Sequence, residues 1–393
     1  MTEREVRGTR MSRREAMRML AAGAGLGSLA SGGRIAGAGA GAGTGTAAGT
    51  VTTAPQAAEQ AATLTFPEGA IVRTVLADVD PQELGGGATL FHEHLSFAYS
   101  TPPPEPRRPG TPEPEPPTND AMVDLLVEEL RMAAFDGVSC IVDSSIGPRT
   151  PQQLANLTAM ANRSNVHVVA GGSYFLRPRY PEAIRGLSEE AIADLLVEQA
   201  GRERWGALGE VGTSFPAMHD DERRMLRAVS RTHLRTGLPI FTHVPHESCP
   251  SCAIEQLDIY ESQGVDLAHL CIGHLSTIER SDDPGWTTHR EIAGRGAFIG
   301  FDTVGHLMSA SFIPEREKVD MVLSALEAGL DDHILLASDF ANPVQLKTNW
   351  GNGFSTVLVQ FVPKLRYYGV PEATIRKILV DNPRRWLAHV PAA

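Results

Sequence analysis

Short apolar segments alternate with longer amphipathic segments along most of this chain. From about residue 71 onward, runs of four to six mostly apolar residues recur between stretches whose apolar positions repeat every three or four residues. Apolar runs without strict alternation are typical of parallel strands buried on both faces, and the longer periodic stretches are typical of helices. The predicted strands span residues 88–91, 139–143, 166–170, 207–211, 240–243, 267–272, 297–301 and 334–337.

The helical patterns fall between these strands. The predicted helices cover residues 121–135, 189–201, 221–236, 253–263, 286–294 and 315–329. Thr118 and Asn119 supply capping side chains for the first of them. Eight strand-to-helix steps predict a (β/α)8 TIM barrel, with a helical tail at 354–388 that closes its outside. An open doubly wound sheet is the alternative, but the glycine-rich dinucleotide turn is missing after the first strand.

The first 66 residues differ in composition from the rest. The sequence Ser12-Arg13-Arg14 follows a basic stretch and precedes an apolar run at 19–30 that is too short and too rich in glycine to span a bilayer. This order predicts a twin-arginine signal peptide at residues 1–42, with a disordered basic tail as the alternative. Residues 43–66 are predicted to be a flexible linker, and residues 67–393 the barrel. The protein is therefore expected to be exported to an extracytoplasmic or secreted location.

The net charge of the chain argues against two classes of binding partner. The chain has 35 basic and 47 acidic residues, a formal net charge of −12. Such acidity argues against nucleic acid as a partner and, after export, against an anionic membrane.

Two loops have an unusual composition. Residues 102–117 contain nine prolines directly after the first strand, which predicts a surface insertion slightly ahead of a loop that contacts substrate. Cys249 and Cys252 form a C-x-x-C sequence, which predicts a local disulfide or free thiols rather than a catalytic redox pair; a zinc clip would need a second such sequence. Cys140 and Cys271 lie in apolar runs and are expected to be core residues.

Side chains that bind metal ions recur at the ends of the predicted strands. In an extended strand, residues i and i+2 project to the same face, so His92 and His94 can face one ion. The other candidates end four more strands: Glu210, His243, His274 and Asp339. A single histidine at a strand end is more often a hydrogen-bonded core residue than a ligand. Glu210 alone could be paired with an arginine, and Asp339 alone could cap a helix. Because barrel enzymes place their chemistry at the C-terminal ends of strands, the six together predict a site for two divalent cations, with zinc expected.

These residues resemble the phosphotriesterase family of the amidohydrolase superfamily. The resemblance rests on four stretches, namely residues 87–95, 208–214, 271–274 and 381–387. It implies a barrel in which His92, His94 and Asp339 hold a buried cation and His243 and His274 hold a more exposed one. Glu210 would bridge the two, which places the chain in the branch that uses a glutamate instead of a carboxylated lysine.

The resemblance also implies hydrolysis of a small-molecule substrate. A hydroxide that bridges two cations would attack, and Asp339 would accept its proton. Tyr174 matches an aromatic position that lines the substrate pocket, although packing at the top of the barrel explains it nearly as well. Family members are often dimers, so a homodimer is an expectation for this chain.

Two departures from the family pattern bear on the substrate. A histidine–aspartate relay of well-studied members is replaced here by Thr303 and Thr277, which argues against efficient turnover of organophosphates. The lactonase branch usually has an arginine at the position of Thr303. The leading hypothesis is therefore a two-metal hydrolase of esters, lactones or amides. The alternatives are a true phosphotriesterase and a non-catalytic barrel that binds a ligand.

Overall fold

A computed structural model describes residues 64–95, 118–306 and 313–391 of the chain. The predicted signal peptide at 1–42, the linker up to residue 63 and the proline-rich segment at 102–117 lie outside these residues, so they stay predictions. Among the described residues, no helix is long and apolar enough to cross a membrane.

Eight parallel strands form one sheet in chain order, each hydrogen-bonded to the next. They are β1 (Ala88–Glu93), β2 (Val138–Asp143), β3 (His167–Gly172), β4 (Trp205–Gly212), β5 (Ile240–His243), β6 (Leu270–Ile272), β7 (Phe298–Phe301) and β8 (Ile334–Leu336). All eight lie where the sequence predicts them. The sixth is shorter than predicted because Leu267–His269 forms a 3-10 turn capped by the side chain of Asp266.

The first and last strands meet at their C-terminal ends. Glu93 forms a parallel bridge with Phe340, and the backbone N–H of His94 donates to the carbonyl of Phe340 at 2.9 Å. The backbone N–H of Asp339 donates to the carbonyl of His92 at 3.1 Å. These contacts bring the ends of the sheet together and confirm the predicted (β/α)8 barrel.

Helices lie between the strands and after the last one. They are α1 (Asn119–Phe135), α2 (Pro151–Ser164), α3 (Glu182–Arg185), α4 (Glu189–Glu203), α5 (Asp220–Thr236), α6 (Pro250–Ser262), α7 (Thr287–Gly294), α8 (Glu315–Glu327), α9 (Val362–Tyr367), α10 (Glu372–Arg376) and α11 (Asn382–Leu387). Helix α2 was not predicted. It begins with a capping box between Thr150 and Gln153, which satisfies two backbone N–H groups at its start.

The helical tail does more than cover the outside of the barrel. Trp386 of α11 is fully buried and packs edge-on against the rings of Phe91 and Phe241 inside the barrel. Its indole N–H donates to the carbonyl of Ile240, the first residue of β5, at 3.2 Å. The tail therefore closes the N-terminal end of the barrel, opposite the ends where the candidate ligands lie.

The cysteines agree with the prediction. Cys249 and Cys252 form a disulfide at the start of α6, one of the two states expected for them. Cys140 and Cys271 are buried free thiols in the strands.

Candidate metal centre

The two histidines of β1 enter the site through an irregularity in the strand. The pairing of β1 with β2 shifts register between Leu90 and Glu93, which is the signature of a bulge. Phe91 belongs to the apolar layer inside the barrel, and the next residue, His92, lies in the polar layer above it. The bulge thus lets two consecutive side chains face the barrel interior, one in each layer.

Glu210 lies between two groups of histidines and directs one carboxylate oxygen to each. Its Oε2 lies 3.5 Å from Nε2 of His92 and 3.7 Å from Nε2 of His94. Its Oε1 lies 2.5 Å from Nδ1 of His243 and 3.4 Å from Nε2 of His274. A carboxylate placed in this way can bridge two cations, and this is the arrangement that the sequence predicted.

Asp339 completes the group on the β1 side. Its Oδ1 lies 3.1 Å from Nε2 of His94 and 3.5 Å from Nε2 of His92. The backbone of Asp339 is in the left-handed region, with φ of 45°. For a residue with a side chain this conformation costs about 1–2 kcal/mol, so contacts around it must hold it in place.

Glu93 supplies those contacts. Because it lies between His92 and His94, its side chain points to the opposite face of β1, where it is fully buried. Its two carboxylate oxygens accept the backbone N–H groups of Ser338 and Phe340, each at 2.8 Å. These residues flank Asp339. Burial raises the pKa of Glu93 to about 8, although the two backbone hydrogen bonds oppose the shift. The motif His-Glu-His thus contributes a positioning residue as well as two candidate ligands.

Asp302, at the end of β7, orients one histidine of each group. Its Oδ2 accepts from Nδ1 of His92 at 2.9 Å, and its Oδ1 accepts from Nδ1 of His274 at 3.0 Å. Oδ1 also accepts the backbone N–H of His274 at 2.8 Å. When both Nδ1 atoms donate, both Nε2 atoms present lone pairs to the centre, as ligands to a cation must. Sequence reasoning missed this residue, although its signal was the one used for Glu210: a carboxylate at the end of an apolar strand.

Two glycines allow the strands to approach each other at the site. A side chain on Gly273 would place its Cβ 2.1 Å from the carbonyl oxygen of Thr242, and one on Gly209 would place it 2.5 Å from that of Phe241. Both distances are far inside van der Waals contact. Glycine is therefore required immediately before both His274 and Glu210.

Buried carboxylates make the electrostatic potential at the site negative. Burial by itself would lower the pKa of His92, but the nearby carboxylates of Glu210 and Asp302 outweigh it and hold this pKa well above its usual value. In the same way Asp302 raises the pKa of His274 to about 10 against the effect of burial. Although burial opposes it, the histidines hold the pKa of Glu210 and of Asp302 well below the usual range. The site therefore attracts positive charge, as a proton or as a cation.

The donor set fits two divalent cations. Glu210, Asp302 and Asp339 carry three negative charges, which four neutral imidazoles leave uncompensated and which are costly to bury. Two divalent cations would offset these charges and leave one positive charge for an oxygen anion. His92 Nε2 is a buried atom with no hydrogen-bond partner among the residues that the structure describes, as expected of an atom kept for a metal. His92, His94 and Asp339 form one of three groups whose ligand atoms lie within 4.8 Å of one another.

Aromatic and histidine side chains surround this centre. The ring of Phe175 lies edge-on to His243, with 4.7 Å between ring centroids. Its neighbour Tyr174, the predicted substrate-binding residue, lies instead among buried residues of the helix layer. The hydroxyl of Tyr174 accepts a hydrogen bond from Nε2 of Gln199 at 2.9 Å, and its ring packs against Tyr180. The structure thus brings the six candidate ligands together, and of the two neighbours Tyr174 and Phe175 it is Phe175 whose ring contacts one of them.

The two positions that depart from the family pattern carry hydroxyl groups. Oγ1 of Thr303 lies 2.8 Å from Oγ of Ser276, and the hydroxyl of Thr277 donates to the carbonyl of His274 at 2.7 Å. All three side chains are buried. Their hydrogen bonds hold the loop after β6 against β7. Because these hydroxyl groups do not titrate near neutral pH, they do not replace the histidine–aspartate pair of the relay.

Comparisons with known proteins agree with the fold and the site. The model of the Phosphotriesterase family matches residues 70–387. The N-acetyltaurine hydrolase of Rattus norvegicus is 26% identical over 351 residues, which cover 80% of this chain and 97% of that protein. A resiniferatoxin-binding protein from Rhodobacter sphaeroides is 30% identical, with a TM-score of 0.69, over 81% of this chain and 95% of that one.

A third protein shares the fold alone. The organophosphorus hydrolase from Deinococcus radiodurans is 23% identical, with a TM-score of 0.66, over 81% of this chain and 96% of that one. The family match covers nearly all of the barrel, so the resemblance inferred from the strand ends is confirmed. The chain belongs to the phosphotriesterase family and is a hydrolytic enzyme of that family.

Proposed function

We propose that this protein hydrolyses a carboxylic amide, ester or lactone with two divalent cations, zinc being the expected metal, and that an N-acyl amide is its substrate. The observation that carries the two-cation proposal is the carboxylate of Glu210, which faces His92 and His94 with one oxygen and His243 and His274 with the other. The relatives named N-acetyltaurine hydrolase, which align over 97% of their length, support an amide as the bond to be cleaved.

In the proposed reaction the residues of the site have different roles. His92, His94 and Asp339 would hold the buried cation, His243 and His274 the more exposed one, and Glu210 both. Bound there, the cations would lower the pKa of a water molecule and polarise the oxygen of the scissile group. Asp339 is positioned to receive the proton of that water, because its carboxylate lies beside His92 and His94 at the centre. Although burial opposes it, the neighbouring histidines hold the pKa of Asp339 below its usual value, so the carboxylate is ionised at neutral pH. Asp302 keeps His92 and His274 in the tautomer that binds cations.

Specific observations bear on two other possible functions. A true phosphotriesterase is disfavoured, because the two relay positions of the family pattern, Thr303 and Thr277, carry hydroxyl groups that do not titrate near neutral pH. A non-catalytic binding barrel is the stronger alternative, since the resiniferatoxin-binding protein is 30% identical to this chain. Against that alternative stands the set of six candidate ligands, none of which is replaced here.

The test combines metal analysis with a panel of substrates. The purified protein should contain two equivalents of metal and hydrolyse N-acetyltaurine or another N-acyl amide faster than a lactone, an aryl ester or a paraoxon-like triester. Substitution Glu210→Gln should remove metal and activity together. The matched control is Glu198→Gln, at an exposed position on α4, which should change neither.

The outcome of this panel decides between the candidates. Two equivalents of metal without hydrolysis of any substrate, together with ligand binding that survives Glu210→Gln, would favour the binding barrel. Rapid cleavage of the triester alone would favour a phosphotriesterase.

We also propose that the protein acts outside the cytoplasm, after export directed by residues 1–42. The sequence Ser12-Arg13-Arg14 supports this proposal, and the disulfide between Cys249 and Cys252 suits an oxidising compartment. Replacing Arg13 and Arg14 with lysine should retain the protein in the cytoplasm, and export that continues unchanged would argue against the proposal. The boundary of the linker at 43–66 and the homodimer stay predictions.

A further inference from the structure

A seventh potential ligand lies beside the more exposed half of the site. The ring of His246 lies 5.0 Å from that of His243 and 4.4 Å from that of His274, measured between centroids. One nitrogen from each of these three histidines lies within 4.8 Å of the others. His246 lies in the loop after β5, where a solvated histidine is the common case.

The loop after β5 fixes the direction of this side chain. Val244 and Pro245 are buried, so the backbone stays packed against the barrel as it leads from the strand to His246. Gln256 of α6 anchors the start of the loop, because its Nε2 donates to the carbonyl of His243 at 2.9 Å and to Oγ1 of Thr213 at 2.8 Å. The far end of the loop is held by the disulfide of Cys249.

His246 has a different exposure from the other two histidines. Its side chain is 32% exposed, whereas that of His243 is 10% exposed and that of His274 is fully buried. Nε2 of His246 lies 3.8 Å from Oδ2 of Asp339, too far for a direct hydrogen bond. His246 is therefore at the solvent side of the centre, where the more exposed cation would meet an incoming substrate.

We infer that His246 is a third histidine ligand of the more exposed cation, beside His243 and His274 and with Glu210 as the bridging donor. This inference rests on the proposed two-cation function. Three imidazoles and one carboxylate oxygen form a four-donor set of the kind that zinc and cobalt accept, and zinc sites can expand to five ligands when a substrate binds. The two cations would then differ in exposure as well as in ligands, since the buried one has two histidines, Asp339 and Glu210.

The experiment measures metal retention and the spectrum of the cobalt-loaded full-length protein. Wild type should hold two equivalents of Co²⁺. The variants His246→Ala and His246→Asn should lose one equivalent to a competing chelator at least about 10-fold more readily than wild type, while they keep the other. Their visible absorption should also change, because one imidazole has left the cobalt. His219→Ala, at an exposed position before α5, is the matched control and should behave as wild type.

Two results would overturn the inference, and they are distinguishable. If wild type holds two equivalents and both His246 variants keep them with unchanged affinity and spectrum, His246 is no ligand, while the two-cation function stands. If wild type itself holds fewer than two equivalents, the two-cation function fails and the assignment of His246 fails with it. Circular dichroism shows whether the variants fold, and the two different replacements guard against one that disturbs the loop.

Discussion

The two ends of the barrel interior are built from the same eight strands but have opposite chemistry. At the N-terminal end, Phe91, Phe241 and Trp386 fill the interior with close-packed aromatic rings. At the C-terminal end, buried carboxylates and histidines occupy the corresponding space. Along β1 the change takes place between two consecutive residues, Phe91 and His92. The comparison indicates that one end stabilises the fold by packing, while the other buries carboxylates and histidines that favour the binding of positive charge.

The largest expected effect is a loss of stability from a change at the N-terminal end of the barrel, without an effect on metal binding at the other end. Substitution Trp386→Ala should lower the free energy of unfolding by about 3–5 kcal/mol, because it opens a cavity among buried rings. Metal stoichiometry should not change. Urea denaturation measures the loss, and Trp350→Ala is the control, since Trp350 is 98% exposed and its removal should cost no more than about 0.5 kcal/mol. Loss of metal from the folded Trp386 variant would contradict the separation of the two ends.

A smaller effect is expected when the histidines lose their orienting carboxylate. Substitution Asp302→Asn should weaken metal binding about 10- to 100-fold, because the amide no longer fixes both Nδ1 atoms as donors. The exposed Asp282→Asn is the control. Competition with a chelator gives the affinities of both variants. An unchanged affinity in Asp302→Asn would show that the histidines are oriented by packing alone.

The smallest effect is a dependence of stability on pH that the metal-free protein should show more strongly than the metal-loaded protein. The pKa of His274 is raised from 6.5 to about 10 in the folded state. The stability that this histidine contributes is therefore fully present below pH 6.5 and is lost as the pH rises through 10. Tm of the metal-free protein should fall by several degrees between pH 7 and pH 10, and that of the metal-loaded protein should fall less, because a cation replaces the proton. An equal fall of Tm with pH in the two forms would contradict a negative electrostatic potential at the site.

Much of this architecture could be predicted from the sequence, for a physical reason. Buried parallel strands require continuous apolar runs, so all eight were visible, and a polar side chain that ends such a run stands out. That signal located Glu210 and Asp339, and it was also present at Asp302, which sequence reasoning missed. The ligand roles of the six residues stay predictions, although the structure brings their side chains together.

The rest depended on contacts that spacing does not encode. The bulge after Leu90 decides which side chains of β1 share the interior, and no residue in that segment marks it. Tyr174 and Phe175 are neighbours in an aromatic pair, and only the twist of the chain after β3 decides which one faces the histidines. Helix α2 was missed although its buried residues Leu157, Met160, Ala161 and Ser164 recur at helical spacing, so the signal was present in the sequence.

The candidate ligands come from both the first and the last strand of the barrel, so cation binding would depend on closure of the barrel. His94 and Asp339 are 245 residues apart, and Glu93 reaches the backbone around Asp339 across the same separation. A ligand set that combines the first strand with the last cannot exist in any partly synthesised barrel. Cation uptake would therefore report that the chain has closed on itself. A cation held by these ligands would bind only the closed form, so it would also oppose separation of the first strand from the last.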